Sequence, residues 1–247
     1  MGLLLGTRRA LLASASGIVI PNNLLSYWRM QEPFHAWTGT SGEVVDSSGN
    51  GHHGTGVNYN GTQSPIAGLN GNAGSFGGNA PNQYVSVPVT PTITETTPFS
   101  VTAWIKPASI ANMLVLDNGS ATAGSFRYYL VVLSSGKADF AVVKNAGGSN
   151  DVVGGTVMTT GNWYFLAGTS DGTTGANGLK VYVNAGLDGQ GARTFSSSTI
   201  GGQVAAIGSD YNHSDTQDFN GQIAYVRIYQ NHQLTLAEIA AIYASQT

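Results

Sequence analysis

What most constrains this chain is a two-residue rhythm. In Phe99-Ser100-Val101-Thr102-Ala103-Trp104-Ile105, the residues Phe99, Val101, Ala103 and Ile105 fall on one face, as alternate side chains of a strand do. Pro107 closes the run, because proline has no amide to give a central ladder. The rhythm returns at Tyr128–Leu133 and Ala138–Val143, and Ser134-Ser135-Gly136-Lys137 between them reads as a hairpin turn. In Asn162–Thr169, Trp163, Phe165 and Ala167 alternate against Tyr164 and Leu166. Leu179–Val183, Val204–Gly208 and Gln222–Tyr229 continue the series. The 34 glycines suit the many tight turns such a series needs. One helix is predicted. Thr235-Leu236-Ala237-Glu238 is a capping box, followed by an expected apolar face of Leu236, Ile239, Ala240 and Tyr243. The expectation is an all-β chain: a two-sheet antiparallel sandwich or jelly roll over residues 24–247, with a short C-terminal helix and no second core.

Residues 1–23 read differently and are expected to form an extended N-terminal docking arm. Leu3, Leu4, Leu5, Leu11 and Leu12 surround Arg8 and Arg9, and the first acidic residue is Glu32. A secretory signal is the alternative, since Ala10 to Ile20 is apolar with small residues at Ala13 and Ala15. Against it, Leu3 to Leu5 precede the arginines, and Ser14, Ser16 and Gly17 dilute the apolar stretch. The arm would dock on a partner in a larger assembly; folding back on its own domain is the plainer alternative.

Composition removes several functions. A net charge of −3 gives no basic face for nucleic acid. With no cysteine there are no disulfides, thiolate metal sites or cysteine nucleophiles. No apolar run approaches the length of a membrane span. Charged residues make up only 9% of the chain, so serine, threonine, asparagine and glycine supply the polar surface, a habit common in proteins that touch sugars or pack into assemblies.

A family resemblance rests on an ordered set of segments. Ser26-Tyr27-Trp28-Arg29-Met30-Gln31-Glu32 is followed by Asp46-Ser47-Ser48-Gly49-Asn50-Gly51-His52-His53-Gly54-Thr55, Gly74-Ser75-Phe76-Gly77-Gly78 and Tyr84-Val85-Ser86-Val87-Pro88. Then come Phe99 to Pro107, Trp163 to Thr169 with Asp171-Gly172, and Phe219 to Tyr229 with Leu234-Thr235. Together they resemble laminin-G-like, concanavalin-A-like jelly rolls over about nine-tenths of the chain. The resemblance implies fold more than function, since the family includes lectins, accessory modules of glycosidases, adhesion domains and virion proteins. It also implies a structural calcium site in many members, but Ala224 stands where the family usually has an acidic residue.

Hydrolytic members of such folds use carboxyl groups facing the scissile bond. Here Glu32, Glu43, Glu95 and Glu238 are the only glutamates and no two share a strand face, while Asp215 and Asp218 lie in a turn-rich loop. A catalytic role is therefore not expected. For calcium, Asp46, Asn50 and Asp117 offer the hard oxygens such an ion needs, with a pure turn as the alternative for Asp46 and Asn50. No cofactor is expected with certainty. His52 and His53 are adjacent, so on extended backbone they point to opposite faces and do not share an ion. For sugar, three loop aromatics stand beside polar neighbours: Trp37 with His35, Tyr59 with Asn58 and Asn60, and Tyr211 with Asn212 and His213.

Two functions follow. One is a structural or decoration protein of a particle such as a virion, homo-oligomeric, anchored by its arm with the jelly roll projecting and adhering to glycans. The other is a secreted or surface carbohydrate-binding module. Both place the chain on a virion surface or outside the cell rather than in the cytoplasm.

Overall fold

The computed structural model describes residues 21–59, 64–80, 82–87, 93–119, 125–144, 147–194, 204–212 and 217–246. Residues 1–20, with Leu3, Leu4, Leu5, Arg8, Arg9, Leu11 and Leu12, and the loop positions His213 and Asp215 lie outside them.

The first seven strands are β1 (Leu24–Trp28), β2 (Thr55–Val57), β3 (Ile66–Gly68), β4 (Gly71–Gly77), β5 (Tyr84–Val87), β6 (Phe99–Pro107) and β7 (Met113–Gly119). They are followed by β8 (Phe126–Val132), β9 (Lys137–Lys144), β10 (Gly148–Val157), β11 (Tyr164–Ser170) and β12 (Gly175–Val183). β13 (Gly186–Arg193), β14 (Val204–Ile207), β15 (Asn220–Gln230) and the helix α1 (Leu236–Ala244) complete the chain. Two antiparallel sheets result. An eight-stranded sheet runs β13-β12-β11-β6-β15-β4-β3 with β1 added on β15, and a seven-stranded sheet runs β10-β9-β8-β7-β14-β5-β2. This is the expected jelly-roll sandwich.

The alternation read from sequence sorts side chains as expected. Phe99, Val101, Ala103 and Ile105 enter the core between the sheets, with Leu166 and Tyr164 from β11. Trp104, Phe165 and Ala167 point the other way, into a second apolar layer beneath α1. Aromatic rings hold one end of the main core, where Trp37, Tyr59, Phe76 and Phe219 meet edge-on in succession. Thr235 caps α1 as predicted: its hydroxyl accepts from the Glu238 amide at 3.3 Å, and the Glu238 carboxylate accepts from the Thr235 amide at 2.7 Å.

The face of α1 differs from the prediction. Leu236 is 53% exposed and Ala240 also faces solvent, while Ile239, Ala241 and Ile242 are buried. Tyr243 stacks on Trp104 with ring centroids 5.2 Å apart, which turns the helix so that Ile239 and Ile242 fall inward.

β15 carries a bulge. Ala224 pairs with Trp104 but Arg227 with Thr102, so one residue is inserted between them. Tyr225 takes it up with a φ of 53°, rare for a bulky residue. Ala224 and Tyr225 consequently both face the layer under α1.

Candidate functional site

The outer face of the seven-stranded sheet is set by register. Residues directly opposite in an antiparallel ladder share a face. On β8, Phe126, Tyr128, Leu130 and Val132 fill the core, so Arg127, Tyr129 and Val131 point outward. Opposite them stand Val143, Ala141 and Asp139 of β9, and Asp151 of β10 lies opposite Ala141. On the other side, Tyr129 faces Asp117 of β7, which faces Ala206 of β14.

Arg127 organises this face. Its Nε donates to Asp117 Oδ1 at 2.9 Å and its Nη2 to Oδ2 at 2.7 Å, a two-pronged ion pair that fixes the guanidinium plane. Burial works against the arginine's charge, but Asp117 outweighs it and raises the pKa further. The guanidinium carbon lies 5.1 Å from the Tyr129 ring centre and 5.0 Å from that of Tyr211, so the cation rests between two rings. Asp117 also accepts the Tyr211 amide at 3.0 Å, which ties the loop after β14 to the sheet. Gly119 makes the arrangement possible, because a Cβ there would lie 2.8 Å from the Tyr211 ring and 2.9 Å from Arg127 Cγ. Arg127, Tyr129 and Tyr211 all keep partial exposure. Burial pushes the Tyr129 hydroxyl up to about 12, so it is a neutral donor and acceptor.

Asp139 adds a second polar centre. It is only 6% exposed and its Oδ1 has no hydrogen-bond partner. Burial pushes its carboxyl up to about 7, with the neighbouring Asp151 carboxylate adding to the rise against a bond from the Val152 amide.

The structure brings together two residues singled out from the sequence, Tyr211 and Asp117, around Arg127. Asp117 holds the Arg127 guanidinium. Asp46 is a turn former: its carboxylate accepts the amides of Tyr27 at 2.9 Å, Ser48 at 2.9 Å and His52 at 3.0 Å, and the Ser48 hydroxyl at 2.8 Å. The Asn50 amide donates to the carbonyls of Leu24 and Leu25. These three residues therefore serve two separate networks, and among the described residues no group of three or more His, Cys, Asp or Glu converges on one point. Ala224 is buried opposite Trp104 and offers no side-chain oxygen.

Two of the three expected sugar platforms are corrected. Trp37 is 1% exposed and Tyr59 2%, because both rings complete the core, and a ring sealed in the core cannot stack on a sugar. The exposed neighbour is Phe34, edge-on to the exposed His35 at 6.0 Å. Tyr211 remains, with exposed Asn212 beside it.

Arg127, Tyr129 and Asp139 were missed because each sits inside a strand read only for its core-facing half. The signal was present, since Arg127, Tyr129 and Val131 alternate opposite that half.

Comparison with known proteins agrees with this architecture. A family model described as the concanavalin A-like lectin/glucanases superfamily matches residues 76–240. No curated protein sequence matches the chain. Among solved structures, domain 4 of an extracellular arabinanase from Geobacillus stearothermophilus, in complex with arabinotriose, superposes with a TM-score of 0.63 at 18% identity, over 89% of this chain and 98% of that one. The binding domain of botulinum neurotoxin serotype C1 gives 0.61 at 16% identity, over 92% of this chain and 53% of its own. Trypanosoma rangeli sialidase gives 0.62 at 15% identity, over 96% of this chain and 35% of its own. At such identities the likeness is one of fold.

Proposed function

Because the chain belongs to the concanavalin A-like lectin/glucanases superfamily, we propose that it is a non-catalytic carbohydrate-binding module whose binding face is the outer surface of the seven-stranded sheet at Arg127, Tyr129 and Tyr211. One observation carries this reading: the Arg127 guanidinium is clamped by Asp117 between two partly exposed tyrosines. Sugar rings offer apolar C–H faces and a fringe of hydroxyls. Tyrosines serve the first, and a guanidinium whose plane is already fixed serves the second with little ordering cost on binding. The arabinanase domain, 98% of which superposes, was solved with arabinotriose, so arabino-oligosaccharides are the first ligands to try.

The face is not a hydrolase site. Asp139 is too deeply buried to meet a glycosidic oxygen. Such a module works outside the cell or on a surface.

A glycan array followed by calorimetry on the best ligand tests the reading. Tyr211→Ala and Tyr129→Ala should each weaken binding about tenfold, as expected for losing a stacking ring of roughly 1–1.5 kcal/mol. Binding unaffected by both substitutions, or release of reducing ends by the wild type, would overturn it.

The sequence of residues 1–20 supports a further role in assembly, in which Leu3, Leu4, Leu5, Arg8, Arg9, Leu11 and Leu12 anchor the module on a larger particle such as a virion. Deletion of residues 2–20 should leave glycan binding intact and abolish co-sedimentation with that particle. Unchanged co-sedimentation would remove the arm from the account.

A further inference from the structure

An arginine set among tyrosines is ordinarily a two-pronged seat for a carboxylate. On the outer face of the seven-stranded sheet that seat is already taken. The Asp117 carboxylate, whose side chain is sealed from solvent, accepts from Arg127 Nε at 2.9 Å and from Nη2 at 2.7 Å. The Tyr211 amide donates to the same carboxylate at 3.0 Å. An incoming carboxylate can displace Asp117 only by orphaning that amide and leaving a buried negative charge without its partner, and both are costly. A ligand therefore meets the pair as a unit without net charge. What the pair still offers is hydrogen bonding, since the Nη1 hydrogens are engaged by no described residue.

Beyond the pair the face is acidic. Asp117 of β7, Tyr129 of β8, Ala141 of β9 and Asp151 of β10 stand opposite one another in turn across the sheet. Ala141 contributes only a methyl between Tyr129 and Asp151. Asp151 is exposed, and neither ion pair among the described residues includes it. Asp139 follows two residues from Ala141 on the same face, and its carboxyl and that of Asp151 repel each other. Lys137 shares the face but stands at the start of β9, about 13 Å along the strand from Ala141. Tyr129 and Asp151 are two strand spacings apart, about 10 Å. A sugar ring seated on Tyr129 thus carries its substituents into the field of Asp151.

We propose that the face formed by Arg127, Tyr129 and Tyr211 admits uncharged glycans and rejects acidic ones, with Asp151 as the residue that sets the selection. This inference rests on the glycan reading of that face and narrows it to a ligand class. A hydroxyl near Asp151 gains an acceptor. A sugar carboxylate in the same place meets a like charge, and the cation that would have answered it is held by Asp117.

A glycan array printed with matched pairs, each a neutral glycan and its uronic-acid or sialylated counterpart, tests the selection, followed by calorimetry at pH 8 on the pair bound best. The acidic member should bind about fivefold more weakly, the size of a like charge felt across about 10 Å at a protein surface. Asp151→Asn should narrow the ratio to about twofold, and Asp151→Lys should reverse it; both changes fall at an exposed position. Salt at about 1 M should also narrow the wild-type ratio, since charges are then screened beyond about 3 Å, whereas a purely structural role for Asp151 would not respond to salt. Equal affinities within the pair, a tighter acidic member, or a ratio unmoved by both substitutions would overturn the selection while leaving the glycan reading standing. Absence of binding to either member of any pair would overturn that reading instead, and this inference with it.

Discussion

Asp46 and Asp139 are both largely buried aspartates, and they respond to acid in opposite senses. Burial works against ionisation of Asp46, but bonds from the Ser48 and Tyr27 amides, the Ser48 hydroxyl and the His52 amide outweigh it and hold the pKa below its ordinary 3.8. Its contribution is therefore complete above pH 4 and is lost as the pH falls through the lowered value. Asp46→Ala leaves those donors unanswered and should cost about 2–4 kcal/mol at pH 7, read by urea denaturation. Asp139 behaves the other way, since its folded pKa of about 7 exceeds the unfolded 3.8. The protonated form is favoured in the folded state, so its contribution is full below pH 4 and fades as the pH rises through 7. Asp139→Asn should accordingly stabilise the protein by about 1–3 kcal/mol more at pH 8 than at pH 5. Equal shifts at the two pH values would mean that Asp139 is ionised throughout. The Asp46 turn was legible because Asp-Ser-Ser-Gly-Asn is turn chemistry within six residues of chain. Asp139 and Arg127 were not, because their meaning depends on neighbours three strands wide.

Elements were readable where apolar residues alternate and unreadable where glycine does. Phe99–Ile105 falls within a strand at the expected phase and Gln222–Tyr229 within one whose phase the bulge shifts, whereas β10 and β13 escaped notice as Val153-Gly154-Gly155 and Gly186-Leu187-Asp188-Gly189-Gln190-Gly191. Those glycines read as turns, but they serve proximity. β10 and β13 are the edges of opposite sheets packed against each other, and a Cβ on Gly189 would lie 2.7 Å from the Val153 carbonyl oxygen. Sheet approach has the same cause at the centre of the sandwich. Gly168 of β11 faces Phe140 of β9, and an added Cβ would collide with the ring. Gly168→Ala should lower stability by about 1–3 kcal/mol without changing the denaturant slope, as overpacking does. An unchanged midpoint would show that Phe140 can swing aside. The helix illustrates the remaining limit: the capping box set where α1 begins, but only the stacking of Tyr243 on Trp104 determines which side it buries.

Across the whole molecule, strands distant in sequence lie side by side, as β15 does between β4 and β6 and β14 between β5 and β7. Neither sheet can form from one continuous stretch of chain, so the sandwich should unfold as one unit and refold slowly, in milliseconds to seconds. Tryptophan fluorescence and far-ultraviolet circular dichroism should report coincident transitions, and separated midpoints would reveal two independent units. The join between the sheet edges β10 and β13 also closes one side of the sandwich. The Asp188 carboxylate of β13 reaches across to β10, accepting from the Thr156 amide at 3.0 Å and lying 2.6 Å from its hydroxyl, while Asn150 and Thr194 make a second tie. A free strand end is what a neighbouring chain would extend, and here both ends are occupied by each other. A second chain brought against this side of the sandwich therefore meets a closed seam in place of an open ladder.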